Sequence, residues 1–146
     1  MKVLAIASSG GHWVQLLRLK SSFDEHELVF ASTSAKNDEM VKDHRFFPIP
    51  DTNRDNYFSV VKAAYAVFKL IKRVKPRLIV TTGAAPGLLA IIIGRTLGSK
   101  TIWIDSIANV ESISMSGKIA TRFAHRVYTQ WPDLATEKII YSGNIL

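Results

Sequence analysis

Ser8-Ser9-Gly10-Gly11-His12-Trp13 stands between Lys2-Val-Leu-Ala-Ile-Ala7, an apolar run of strand length, and Trp13-Val-Gln-Leu-Leu-Arg-Leu-Lys20, whose apolar residues recur at helical spacing. The glycines therefore lie on a strand-to-helix turn. Without Cβ atoms they let the backbone turn sharply and come close to a ligand, while the free N–H groups and dipole of the following helix favour an anion. This makes the loop a candidate phosphate cradle.

The 146 residues, 47% of them hydrophobic, suffice for a single globular domain with a proper core, and no linker or repeat divides them. Nineteen Lys and Arg against twelve Asp and Glu leave a formal net charge of +7. That excess favours an anionic partner: a phosphorylated ligand, a nucleic acid or an acidic membrane surface. The absence of cysteine excludes disulfides and thiolate metal sites and suits a reducing cytosol. The first apolar run is too short for a signal peptide, and residues 84–94 are too short and Pro-interrupted for a span of about 20 residues. Contact with a membrane is expected from its surface.

Further strands are expected at Glu27–Ser32, at residues 46–49, 77–82, 101–105 and 126–130, and at residues 139–142. Pro48 and Pro50 put the third strand at an edge. Helices are predicted over residues 57–74, 88–97 and 116–124, the second apolar nearly all round and so expected to be buried. In the first of these, Tyr57, Val60, Val61, Ala64, Val67, Phe68 and Ile71 share one face while Lys62, Lys69, Lys72, Arg73 and Lys75 make the other side basic. Such a helix packs on a sheet, or keeps Tyr57, Phe58 or Tyr65 exposed beside the lysines for an anionic bilayer; its broad apolar arc permits both.

Strands alternating with helices predict an α/β fold, a doubly wound and mostly parallel Rossmann-like sheet. In its commonest strand order the first and fourth strands are neighbours, so the turns Ser8–Gly11 and Gly83–Gly87 would line one crevice with Asp105 and Gln130-Trp131 on the same rim. A dinucleotide reading is weakened because the second strand runs into Ala31-Ser-Thr-Ser-Ala35 with no acidic residue for a ribose. No Lys-Ser/Thr pair follows the first glycines, which excludes a Walker loop.

Five motifs then occur in order: Ser9-Gly-Gly-His12; Thr81-Thr-Gly-Ala-Ala-Pro-Gly87; Asp105-Ser106 followed by Ser114-Met-Ser-Gly-Lys118; Gln130-Trp131-Pro132; and Tyr141-Ser-Gly-Asn-Ile-Leu146. Together they resemble the acceptor-side, membrane-associating subunits of bipartite GT-B glycosyltransferases. These are the eukaryotic subunit that serves addition of the second N-acetylglucosamine to the dolichol-linked oligosaccharide and its bacterial capsule and exopolysaccharide relatives. The likeness runs almost end to end. Family members usually carry Glu-Ser and then an arginine where this chain has Asp105-Ser106 and Asn109. The eukaryotic members also begin with a transmembrane anchor, which is not expected here.

The resemblance implies one acceptor-binding domain over residues 1–146, equivalent to the N-terminal half of a GT-B enzyme. Its implied partner is a separate donor-binding glycosyltransferase subunit that brings a UDP-sugar; the acceptor is a polyprenyl-diphosphate-linked saccharide at the inner face of the cell membrane. By the same likeness the chain is inactive without that partner, and Tyr141, Ser142, Gly143, Asn144, Ile145 and Leu146 form the pairing interface. No cofactor or metal is expected, since there is no Asp-x-Asp triplet. Nucleic acid is set aside because no recognised binding motif accompanies the charge.

His12 is the expected catalytic group: at a helix N-terminus a neutral imidazole is favoured, able to take a proton from an acceptor hydroxyl. The alternative is an imidazole that only hydrogen-bonds the turn. Ser9, Gly10, Gly11, Gly83 and Gly87 are the expected contacts of the acceptor diphosphate, although each glycine singly serves a tight turn equally well. Asp105 either orients His12 and the acceptor or caps the next turn. Tyr57, Phe58, Lys62, Tyr65 and Lys69 are the expected membrane-facing group. A non-catalytic recruiter of a separate transferase is the competing function, and it differs in leaving His12 dispensable.

Overall fold

Apolar runs without polar alternation build strands covered on both faces, and β1 (Lys2–Ala7), β2 (Glu27–Ser32) and β4 (Leu78–Thr81) are of that kind. The computed structural model of the chain, which describes residues 1–53 and 55–145, completes the sheet with β3 (Arg45–Pro48), β5 (Lys100–Ile104), β6 (Arg126–Thr129) and β7 (Ile139–Tyr141). All seven strands are parallel, in the order β3-β2-β1-β4-β5-β6-β7. Chain direction across the sheet reverses between β1 and β4, which leaves a crevice at their carboxyl ends. β3 is an edge strand, as its prolines predict.

Helices cover both faces. α1 (Gly11–Arg18) lays Trp13 and Leu16 on the face made by Val3, Ala5, Phe30 and Val80. α2 (Tyr57–Val74) and α3 (Ala85–Thr96) cover the opposite face, where Val67 and Ile71 meet Leu4, Ile6, Val29 and Ile79. α4 (Met115–Ala120) joins that second layer through Ala120, packed with Ile91, Trp103 and Val127.

Three local expectations need correction. α1 begins two residues earlier than its apolar periodicity, so Gly11 and His12 are helical. The buried stripe of α2 is Ala63, Val67, Leu70, Ile71 and Val74, whereas Tyr57, Val61 and Phe68 face outward. This helix has two apolar arcs, and the sheet takes the one that Leu70 and Val74 extend. α3 is half-covered, its buried edge being Pro86, Gly87, Ala90, Ile91 and Gly94. It lies between α2 and α4, which leaves its outer side partly open.

At the opposite end from the crevice, the His125 ring nitrogen Nδ1 accepts the Thr101 N–H at 3.1 Å. Burial, then Arg95, then Lys100 lower its pKa below the ordinary imidazole value. The sign follows from linkage: unfolded chains bind the proton more readily, so this contribution to stability holds above about pH 6.5 and is lost as pH falls through the lowered folded value. Melting curves from about pH 7.5 to 5.5 are expected to fall less steeply for His125→Gln than for the parent; parallel curves would remove the assignment.

Candidate active site

The first turn is held open from behind. Ser8 N–H donates to the Gly83 carbonyl at 3.1 Å and Ser9 N–H to Thr33 Oγ1 at 2.9 Å. Gly10 sits at φ 88°, a conformation that favours glycine. Nothing lies within 4 Å of where a Cβ on Gly10 or Gly11 would be, so at Gly11 neither packing nor a left-handed backbone requires glycine. No side chain caps α1, which leaves its first N–H groups directed at the crevice.

His12 is fixed in one tautomer. Its Nδ1 lies 2.9 Å from the Thr82 carbonyl oxygen, and a carbonyl only accepts, so Nδ1 carries a proton and a neutral ring has its lone pair on Nε2. Thr82 Oγ1 donates back to the His12 carbonyl at 2.6 Å, tying α1 to the end of β4. Gly83, at φ 116°, gives the ring its room: a Cβ there would stand 2.8 Å from Nδ1 and 2.9 Å from Cε1. Gly83→Ala is therefore expected to push the imidazole off Thr82, read in the free chain as a shift of the His12 ring signals. Unchanged ring signals in that variant would show that Gly83 does not set the ring's position.

Asp105 is 2% exposed, and its carboxylate accepts from Trp103 Nε1 at 3.0 Å, Asn109 Nδ2 at 3.0 Å, Ser114 N–H at 3.0 Å and Ser114 Oγ at 2.6 Å. None of these partners is His12, so the expectation that Asp105 orients His12 directly is corrected. It braces the loop from β5 into α4, which Ser114 caps through Gly117 N–H. Asn109, where the resemblance leads one to expect arginine, is one of its donors.

Gly87 also needs correction. It lies inside α3, buried, and a Cβ there would collide with Thr81 Oγ1. Close packing of helix on strand accounts for this glycine without a ligand. Trp131 donates from Nε1 to the Ile107 carbonyl at 2.7 Å, tying the end of β6 to the 105–109 loop.

His12, Gly83 and the Asp105 loop line a cavity of about 270 Å³. A neighbouring cavity of about 340 Å³ is lined by Ser8, Ser9, Thr33, Asp51 and Thr52, with Ala84 and Ser116 shared between the two. Among the described residues neither cavity is lined by lysine or arginine. Backbone N–H groups and helix ends at the crevice can meet an anion here. No group of three or more His, Asp or Glu with metal-ligand geometry occurs among the described residues.

Beside the crevice, the outward arc of α2 presents Tyr57 at 87% exposure, Phe58 at 85% and Tyr65 at 63%, with Val61 and Phe68 in line. Lys62 and Lys69 are exposed on the same helix, Lys69 Nζ lying 5.3 Å from the Tyr65 ring centre. No helix among the described residues is long and apolar enough to cross a membrane. Tyr141, Ser142, Gly143 and Asn144 are exposed and Ile145 is half-buried; Leu146 lies outside the described residues.

Gln15, which sequence reasoning passed over, and Gln130, which it placed on the rim without a role, share a buried hydrogen bond of 2.6 Å that joins α1 to the end of β6. A glutamine on the apolar face of a helix, between Trp13 and Leu16, was the available signal.

Residues 48–145 match the family described as oligosaccharide biosynthesis protein Alg14 like. The human UDP-N-acetylglucosamine transferase subunit ALG14 is 27% identical over 180 residues, an alignment covering all of this chain and 83% of that protein. The Schizosaccharomyces pombe subunit is 45% identical over 51 residues, covering 35% of this chain and 23% of that protein. Among solved structures, Acinetobacter baumannii MurG superposes with a TM-score of 0.78 at 16% identity, over 97% of this chain and 45% of its own length. Anabaena Alr3699/HepE in complex with UDP gives 0.66 at 13% identity, over 99% of this chain and 44% of its own. The chain therefore spans less than half of these solved structures, and the likeness to them is one of fold.

Proposed function

We propose, from the premise that this chain belongs to the Alg14-like family of oligosaccharide biosynthesis proteins, that it is the acceptor-binding, membrane-associating subunit of a two-component glycosyltransferase. A UDP-sugar comes with a donor-binding partner, and the acceptor is a polyprenyl-diphosphate-linked saccharide. The single domain of residues 1–146 supplies one wall of the catalytic cleft and the partner the other. The observation that carries this reading is His12, anchored through Nδ1 on Thr82 so that a neutral ring presents the Nε2 lone pair beside an open crevice that Gly83 also lines.

In the reaction so read, Nε2 accepts the proton of an acceptor hydroxyl as its oxygen bonds to the anomeric carbon of the donor sugar. The bond from that carbon to the diphosphate breaks, its electron pair leaving with UDP. Gly10, Gly11 and the start of α3 offer N–H groups to the acceptor diphosphate. The partner is expected to provide positive charge for the departing diphosphate. The exposed aromatic and basic arc of α2 supports docking at an anionic membrane on its cytoplasmic side, with Tyr57 and Phe58 at the crevice end of the helix.

Transfer assays with acceptor-bearing membranes and a panel of UDP-sugars test this, comparing the chain alone, the donor-binding subunit alone and the pair. Activity in the pair alone is the expected result and identifies the donor. Activity of the partner by itself, merely raised by this chain, would favour a non-catalytic recruiter.

A further inference from the structure

Two buried glutamines make contacts that the reaction above does not use. Gln15 lies on α1 three residues after His12, and Gln130 directly follows β6. Backbone groups on either side fix the Gln130 amide: Nε2 donates to the Asp105 carbonyl at 3.0 Å and Oε1 accepts from Ile145 N–H at 2.7 Å. The same Nε2 donates to Gln15 Oε1 at 2.6 Å, and that oxygen also accepts Ile107 N–H at 3.2 Å. Gln15 Nε2 in turn donates to Ser106 Oγ at 3.0 Å. Arg18, the last residue of α1, donates from Nη1 to the Ile145 carbonyl at 3.1 Å.

Residues 142–145 are thus bound to the end of α1 by Arg18 and, through Gln130, to its middle and to the Asp105–Ile107 loop. α1 carries His12, and the loop lines the same cavity as its ring. Each amide nitrogen and oxygen of the two glutamines has a partner, and no buried side-chain nitrogen or oxygen among the described residues lacks one. If Ile145 N–H leaves, Gln130 Oε1 becomes a buried acceptor without a donor. Turning the amide toward another donor breaks its bonds to Gln15 and Asp105, so the three contacts shift together. α1 has only eight residues, and a displaced Gln15 carries its first turn with it.

We propose that Gln15 and Gln130 are positioning residues that carry the seating of residues 142–145 into the start of α1 and the 105–109 loop, so that docking of the donor-binding subunit on that segment sets the geometry of His12. This deepens the pairing proposed above and rests on it.

The first test needs no partner. In the free chain, Ile145→Pro removes the N–H donor without entering the core, and the amide signals of Gly11 and His12 are expected to move. Unchanged signals there would overturn the coupling itself. In the pair, Gln130→Met is expected to lower kcat about tenfold while KM for the UDP-sugar stays within about twofold and partner affinity is retained. Adding the partner to the wild-type chain is expected to shift signals of residues 142–145 together with those of Gly11 and His12. Shifts confined to 142–145 would overturn the relay while sparing the pairing; no shift at 142–145 would overturn the pairing site as well. Should Gln130→Met fail to fold, Ile145→Pro in the pair reads the same kcat and KM split, and wild-type kcat with normal partner affinity would overturn the relay.

Discussion

Replacing Tyr57 and Phe58 together by serine is expected to weaken binding to anionic vesicles about a hundredfold while the melting temperature stays put. Burying one large aromatic side chain contributes about 1.5–3 kcal/mol, and two partly inserted rings together reach the 2.8 kcal/mol or so that corresponds to two decades. At 87% and 85% exposure these side chains contribute little to the core, so a change in vesicle binding reports docking and not unfolding. Lys62 and Lys69 add a term that salt screens, about 1 kcal/mol for each lysine near an anionic surface. Sedimentation with vesicles containing anionic lipid, at low and high salt, measures both contributions. Undiminished binding of the double variant would move the membrane surface away from α2.

The second large effect is chemical. His12→Ala, and equally His12→Asn, is expected to lower kcat of the pair by about 10²–10⁴, the range for a lost general base. Acceptor KM and partner affinity should change little. The fold should survive, because the ring lies at the crevice and, among the described residues, makes one side-chain hydrogen bond, to Thr82. Asparagine can still offer a donor to that carbonyl but has no basic nitrogen, so the two substitutions separate anchoring from proton transfer. Full activity in both would leave His12 a structural turn residue and return the chain to the recruiter reading.

The strands and the first turn were legible because their signals are local. Lys2–Ala7 is apolar without alternation, Gly10 and Gly11 interrupt it, and a helix follows. The parallel order, with β1 beside β4, follows from alternation of strands and helices together with the handedness of crossovers. What failed depended on which of several neighbours wins. α2 carries two apolar arcs, and only the shape of the sheet decides that Ala63 and Leu70 go inward while Tyr57 and Phe68 stay out. Gly87 reads as a turn glycine until Thr81 is seen lying against it from the strand. Asp105 is near His12 in the crevice, yet Trp103, Asn109 and Ser114 take its oxygens first. Gln15 and Gln130 are 115 positions apart, and no pattern along the chain announces a hydrogen bond between them.

Acceptor capture tests the central claim most directly. A polyprenyl-diphosphate-linked saccharide with a photoreactive group beside the diphosphate, irradiated in vesicles with the assembled pair, should label this chain within residues 8–12 or 82–86. Excess unlabelled acceptor should suppress that labelling. Labelling confined to the donor-binding subunit would contradict an acceptor site between the two turns.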